Sequence, residues 1–210
     1  MRNILLYTAI LFFNVSGIAQ FTFKPIEKGV LDSLIEDAIR NNEIDRAQMK
    51  KLDGEYQDMI AAPKNANAVF DYGRILTALL QPGLASATTK ALSEGGRKIV
   101  GEAEDAYRNA ISHCECHGRA NIMLGLLYNQ QGKYFLSEPH LEKGLKLDEG
   151  GEDWMVAANQ YLLAGAYTYN TENEKYLKVY DLFKKYAKSV TKEAAYYQKM
   201  AGLYVAYYEK

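Results

Sequence analysis

From residue 20 onward the apolar positions recur at helical spacing, and no long stretch alternates apolar with polar in the β-branched-rich manner of a strand. Val30, Leu31, Leu34, Ile35, Ala38 and Ile39 form one apolar stripe, and Asn41 and Asn42 stop that helix. A second helix is expected over 45–61, with Leu52, Tyr56, Met59 and Ile60 turned inward, ending before Pro63. A third runs over 67–80, closed by Gln81, Pro82 and Gly83. A short helix over 86–94 leads to Gly95 and Gly96, and a long helical pattern follows over 98–112. The pattern predicts an all-α protein.

The C-terminal half repeats. Ala103 and Ser137, Tyr107 and Leu141, Ala110 and Gly144, and Ala91 and Gly125 each lie 34 residues apart, and each pair keeps its size class or nearly so. A helix-turn-helix unit of about 34 residues must stack on copies of itself, because one pair cannot bury its apolar face alone. Leu124, Gly125, Leu126, Leu127 and Tyr128, followed by Gly132 and Tyr134, resemble the first helix and turn of a tetratricopeptide repeat (TPR). The second helix departs from that pattern. Ser137 and Gly144 stand where Ala is usual, Leu141 replaces an aromatic, and Glu149 sits where Pro often closes the unit. Ala103, Tyr107 and Ala110 fit a preceding second helix better.

Two weaker copies follow. Ala164-Gly165 resembles the Leu-Gly step, with Tyr176 and Phe183 as later aromatics, and Ala201-Gly202 begins a lone first helix. Extra residues between copies fall in the loop over 148–153. The resemblance covers about 98–210. It implies a right-handed α-α superhelix, a TPR-like solenoid, with the helices of 20–97 as N-terminal capping sequence. Tyr72-Gly73 echoes the motif faintly, with no second helix at the expected distance. The family's role is to hold a peptide or protein partner in a concave groove lined by first helices, here about 120–130, 158–169 and 195–208. Asn121, Tyr128, Tyr161, Thr168, Gln198 and Val205 occupy repeat positions that could approach that groove.

Residues 1–19 read as an address. Arg2 precedes an apolar run from Ile4 to Phe13, and Gly17 and Ala19 are the small residues of a cleavage site after Ala19. The run is too short to span a bilayer comfortably, so the mature protein is expected to be exported, periplasmic or secreted, without a membrane span. With 25 basic and 26 acidic residues the chain has no field to hold nucleic acid.

His113, Cys114, Glu115, Cys116 and His117 bring metal-ligating side chains together. Their spacing matches neither a haem-attachment motif nor paired zinc knuckles, and neighbours in sequence compete for one tetrahedral centre. The simpler reading is an inter-repeat loop whose cysteines are incidental or form a small disulfide; a metal-binding or redox role is the rival. Gly95-Gly96-Arg97-Lys98 could offer amides and charge to a phosphate, although a helix break with basic residues is commoner. No catalytic set emerges, and neither an enzyme activity nor a cofactor is expected. Tyrosine is abundant, 17 of 210 residues. Tyr197, Ala201, Tyr204 and Tyr208 share one face of the last helix, with Met200, Leu203 and Tyr207 beside it. Those rings serve either as inter-helix filling or as a surface for a partner or a second copy.

Overall fold

A computed structural model describes residues 23–44, 46–80, 92–168, 171–191 and 193–209. The expected cleavable segment and most of the short helix over 86–94 lie outside them. Nine α-helices make up most of the described chain: α1 (Lys28–Arg40), α2 (Met49–Ala61), α3 (Ala66–Leu79), α4 (Glu94–His113), α5 (Gly118–Gln130), α6 (Tyr134–Leu147), α7 (Trp154–Tyr167), α8 (Glu174–Ala187) and α9 (Ala194–Tyr208). An isolated bridge between Ile44 and Leu80 is the β-type pairing recorded, and no strand forms among the described residues.

Local chemistry starts several of these helices. The Asn65 side chain accepts from the amides of Asn67 and Ala68, Ser93 from that of Gly96, and Asn173 from that of Lys175. These oxygens satisfy amides that a helix start leaves unpaired. Between α5 and α6, Gly132 takes φ 71°, a left-handed value that glycine reaches without steric cost. The Lys133 amide then bonds back to the Tyr128 carbonyl at 2.9 Å and closes the turn.

Three details differ from expectation. The second segment opens as a short 3-10 turn (Arg46–Gln48), and Ile60 is 45% exposed on the outer face of α2. The fourth helix begins at Glu94, so Gly95 and Gly96 are its first turn and not a break. A packed partner for Tyr72-Gly73 does exist. Helix α4 lies along α3, and a Cβ on Gly73 would sit 3.0–3.1 Å from Tyr107 and Ala106.

The helices pack in consecutive hairpins, α3 with α4, α5 with α6 and α7 with α8, with α1 against α4, α2 against α3, and α9 against α8 and α7. Two apolar clusters result. One joins α1 to α4 and takes Ala120, Leu124, Leu127 and Tyr128 from α5. The other begins with Ile122 of α5 and runs through α9. Helix α5 therefore has a face in each core. The division expected at 97/98 falls inside the continuous helix α4, whose first turn is bonded to α1 and to the segment after it.

Small residues set how closely the hairpins approach. A Cβ on Gly125 would lie 2.7 Å from the Leu141 side chain and 3.0 Å from its amide nitrogen. One on Gly144 would lie 2.7 Å from the Ile122 amide nitrogen. Ser137 is tolerated in this interior because its hydroxyl donates to the Gly125 carbonyl at 2.7 Å. Gly165 also abuts the helix that follows it, where a Cβ would meet the Tyr176 ring at 2.5 Å. Gly202 has open space around it, so the last glycine of the repeat pattern marks no close approach.

Candidate functional site

A groove of about 640 Å³ opens between the C-terminal half of α5, the first residue of α6 and the outer stripe of α7. Leu126, Asn129 and Gln130 form one wall; Val156, Gln160, Leu163, Ala164, Tyr167 and Thr168 form the other, with Tyr134 at the rim. Val156, Gln160, Leu163 and Tyr167 recur at three- and four-residue steps, which places them on one line of the helix surface. Tyr134 and Tyr167 are 63% and 76% exposed, far more than the tyrosines that build the cores. Among the described residues no acidic or basic side chain lines the groove. Its polar groups are the side-chain amides of Asn129, Gln130 and Gln160 and the hydroxyls of Tyr134, Tyr167 and Thr168. Asn129 Nδ2 donates to Gln160 Oε1 at 3.0 Å and ties the two walls together. Thr168 Oγ1 donates to the Ala164 carbonyl at 2.9 Å. Such a surface offers apolar contact and neutral hydrogen bonding, with nothing to neutralise a charged ligand.

Of the six residues expected at the groove, Thr168 lines it. Asn121, Tyr128 and Tyr161 are buried and present no surface to a partner. The Tyr128 hydroxyl accepts from Arg108 Nη2 at 2.6 Å and Nε at 3.0 Å and donates to Glu104 at 3.0 Å, so α4 holds it. Asn121 donates to the His117 carbonyl, and its Oδ1 lies 3.2 Å from His140 Nδ1. Tyr161 stacks on Tyr176 with ring centroids 4.4 Å apart. Gln198 and Val205 are exposed on α9, away from the groove lining. The repeat register selected interior positions because the residues that define the motif are those that pack. The groove residues lie on other faces of the same two helices, with Asn129 next to Tyr128 and Gln160 next to Tyr161. Their signal is weak, since α7 carries apolar residues on every face.

The loop between α4 and α5 contains a disulfide, Cys114–Cys116, with Cα atoms 5.1 Å apart. The backbone around it is held independently. The Cys114 amide bonds to the Ala110 carbonyl at 3.0 Å and the His117 amide to the Cys114 carbonyl at 2.9 Å. His117 caps α5, its Nδ1 accepting from the Ala120 amide at 3.1 Å, and its ring lies 4.8 Å from Phe70. Burial, aided by the Arg119 charge, lowers the His117 pKa. His113 is exposed on the last turn of α4. The four residues considered as metal ligands are thus divided between a sulfur–sulfur bond, a helix cap and solvent. Among the described residues no three His, Cys, Asp or Glu side chains gather as a metal-binding group.

The amides at Gly95 and Gly96 are already engaged within the chain. Asp37 Oδ2 accepts from the Gly95 amide at 2.9 Å, and the Ser93 hydroxyl accepts from that of Gly96 at 3.0 Å. Buried Glu43 accepts from the Ser93 amide at 2.7 Å and from its hydroxyl at 2.8 Å. A Cβ on Gly95 would come within 2.3 Å of the Leu34 carbonyl, so glycine is what allows α1 to reach this helix end. Two carboxylates of the chain occupy the position where a phosphate could have bound. The Gly95 hydrogen bond, ahead of the Arg40 contact, holds the Asp37 pKa below its ordinary value.

No protein-family model, curated protein or solved structure matches the chain. Among the described residues no helix is long and apolar enough to cross a membrane.

Proposed function

We propose that this protein is an exported, non-catalytic interaction module of the tetratricopeptide type. In this reading its hairpins form a right-handed superhelical array, and the groove between α5 and α7 holds an extended peptide segment of a protein partner. The observation that carries the proposal is the groove, a concavity of about 640 Å³ lined by exposed aromatics, aliphatic side chains and neutral amides. It lies between the two helices that carry Gly125 and Gly165, the glycines that open successive copies of the repeat pattern. The absence of charged lining side chains favours an uncharged segment rich in apolar or aromatic residues. Asn129, Gln160 and Thr168 would pair with its backbone.

A panel of fluorescent peptides tests this by anisotropy. Uncharged peptides with aromatic or aliphatic residues should bind more tightly than the same peptides carrying Asp or Lys at alternate positions. Val156→Asp and Tyr167→Ala, both at exposed positions, should weaken that binding by about tenfold or more, equivalent to ~1.4 kcal/mol, with the thermal midpoint unchanged. Equal binding of charged and uncharged peptides, or insensitivity to both variants, would refute the assignment.

A further inference from the structure

The Cys114–Cys116 bridge plays no part in the groove, and it is poorly placed to stabilise the fold. It joins residues two apart in sequence. The chain entropy removed by a cross-link is smallest for the shortest loops. The turn it spans is already closed by the hydrogen bond from the His117 amide to the Cys114 carbonyl, and the helices on either side carry their own caps. The bridge also faces outward: Cys116 is exposed, Cys114 is half-buried, and Glu115 and His113 beside them are exposed. Cys116 stands directly before His117, the N-cap of α5, where the first-turn amides and the helix dipole favour an anion. A thiolate formed at Cys116 would therefore be stabilised by a fixed element of the fold.

We propose that Cys114–Cys116 is an exchangeable disulfide that oxidises dithiols on peptides or proteins. One substrate thiolate attacks the exposed Cys116 sulfur, the Cys114–Cys116 bond breaks, and Cys114 departs as a thiolate. The second substrate thiolate attacks the substrate sulfur of the mixed disulfide, closing the substrate's own disulfide and releasing Cys116 as a thiolate beside the start of α5. The substrate loses two electrons and the protein gains them; the two thiol protons end on Cys114 and Cys116. Each molecule turns over once per bridge. Because the surrounding turn keeps its hydrogen bonds in either state, exchange proceeds without unfolding.

The test mixes the full-length oxidised protein anaerobically with a synthetic peptide bearing two reduced cysteines, and follows both by intact mass after acid quench and alkylation. The expected result is one peptide disulfide formed per protein, faster than with glutathione disulfide at equal concentration, with two alkylated cysteines on the protein. Cys114→Ser and Cys116→Ser together should abolish peptide oxidation. The oxidised protein, the reduced protein and the double variant should melt at the same temperature. A peptide that stays reduced, or is oxidised no faster than by glutathione disulfide, would overturn the proposal. So would a melting temperature that falls on reduction, which would make the bridge a structural one.

Discussion

Helices α5 and α6 solve the packing of a hairpin in one way, and α7, α8 and α9 solve it in another. In the first pair the contact is backbone against side chain. Gly125 and Gly144 remove the atoms that would separate the helices, and Gly118 admits Asp148, so the two run together along their length. In the C-terminal group the gaps between helices are filled with rings. Tyr161 stacks on Tyr176 and Tyr180 on Tyr208, while Phe183 meets Tyr197 and Tyr204 edge-on. Their hydroxyls reach polar anchors: Tyr204 the Asn159 carbonyl and side chain, Tyr208 the Leu162 carbonyl, Tyr176 Glu138 and Tyr180 Glu209. Close packing by small residues tolerates no added volume. Packing by tyrosine depends on large apolar areas and on hydroxyls that must stay protonated and paired. The groove lies where the two regimes meet, with α5 on one side and α7 on the other.

Alkali is expected to separate the two most strongly. Burial raises the pKa of Tyr161, Tyr176, Tyr180, Tyr204 and Tyr208 well above the ordinary value and, aided by Glu193, pushes that of Tyr197 up to about 12. The unfolded chain ionises these phenols near pH 10, while the folded chain does not. Stability present below that pH is therefore lost as the pH rises from about 10 towards the folded values. These six rings all lie in α7–α9, whereas α5 contributes the buried phenol of Tyr128, so hydrogen exchange should show α7–α9 opening before α5 and α6. Simultaneous opening of both would break the comparison.

Phe183→Ala empties the centre of the aromatic group and should lower stability by about 3–5 kcal/mol in urea unfolding. Gly144→Ala should lose about 1–3 kcal/mol, because the new methyl meets the Ile122 amide nitrogen and the Gly118 carbonyl as well as the Ile122 side chain, and backbone cannot swing aside. Equal tolerance of Gly144→Ala and Gly202→Ala would show that close approach does not matter in the α5–α6 pair. Tyr204→Phe leaves buried polar atoms of Asn159 without their hydroxyl partner and should lose about 1–2 kcal/mol. Tyr161→Phe removes a buried hydroxyl that has no hydrogen-bond partner among the described residues and should be neutral or slightly stabilising. Gly202→Ala, with no described atom near the new methyl, should instead add about 0.5–1 kcal/mol.

Much of the architecture is legible before any coordinates. The stripe of α1, the extent of α3, the turn at Gly132, the extra residues over 148–153 and the shared face of Tyr197, Tyr204 and Tyr208 follow from spacing and residue size, while the burial of that face does not. The groove was legible only in outline. Of the three first helices expected to line it, α5 and α7 do and α9 does not, and Asn121, Tyr128 and Tyr161 point into the cores. A repeat fingerprint is a record of packing, and its strongest positions are the ones least available to a ligand. The outward stripe of α7 had no distinct signature, because Val156, Leu163 and Tyr167 look as apolar as the residues behind them.

The amino-acid order alone determined the all-helical class, the hairpin spacing and the close approach at Gly125, Gly144 and Gly165. Each of these depends on the local period and on the volume at one position. Tertiary structure decided that α4 starts at Glu94 with Gly95 and Gly96 in its first turn, because Asp37 and Ser93 meet their amides and Glu43 holds Ser93. It also decided that α5 serves two cores, and which faces of α5 and α7 remain open as a groove. A helix apolar on all sides carries no mark of which side faces solvent; only its packed neighbours settle that.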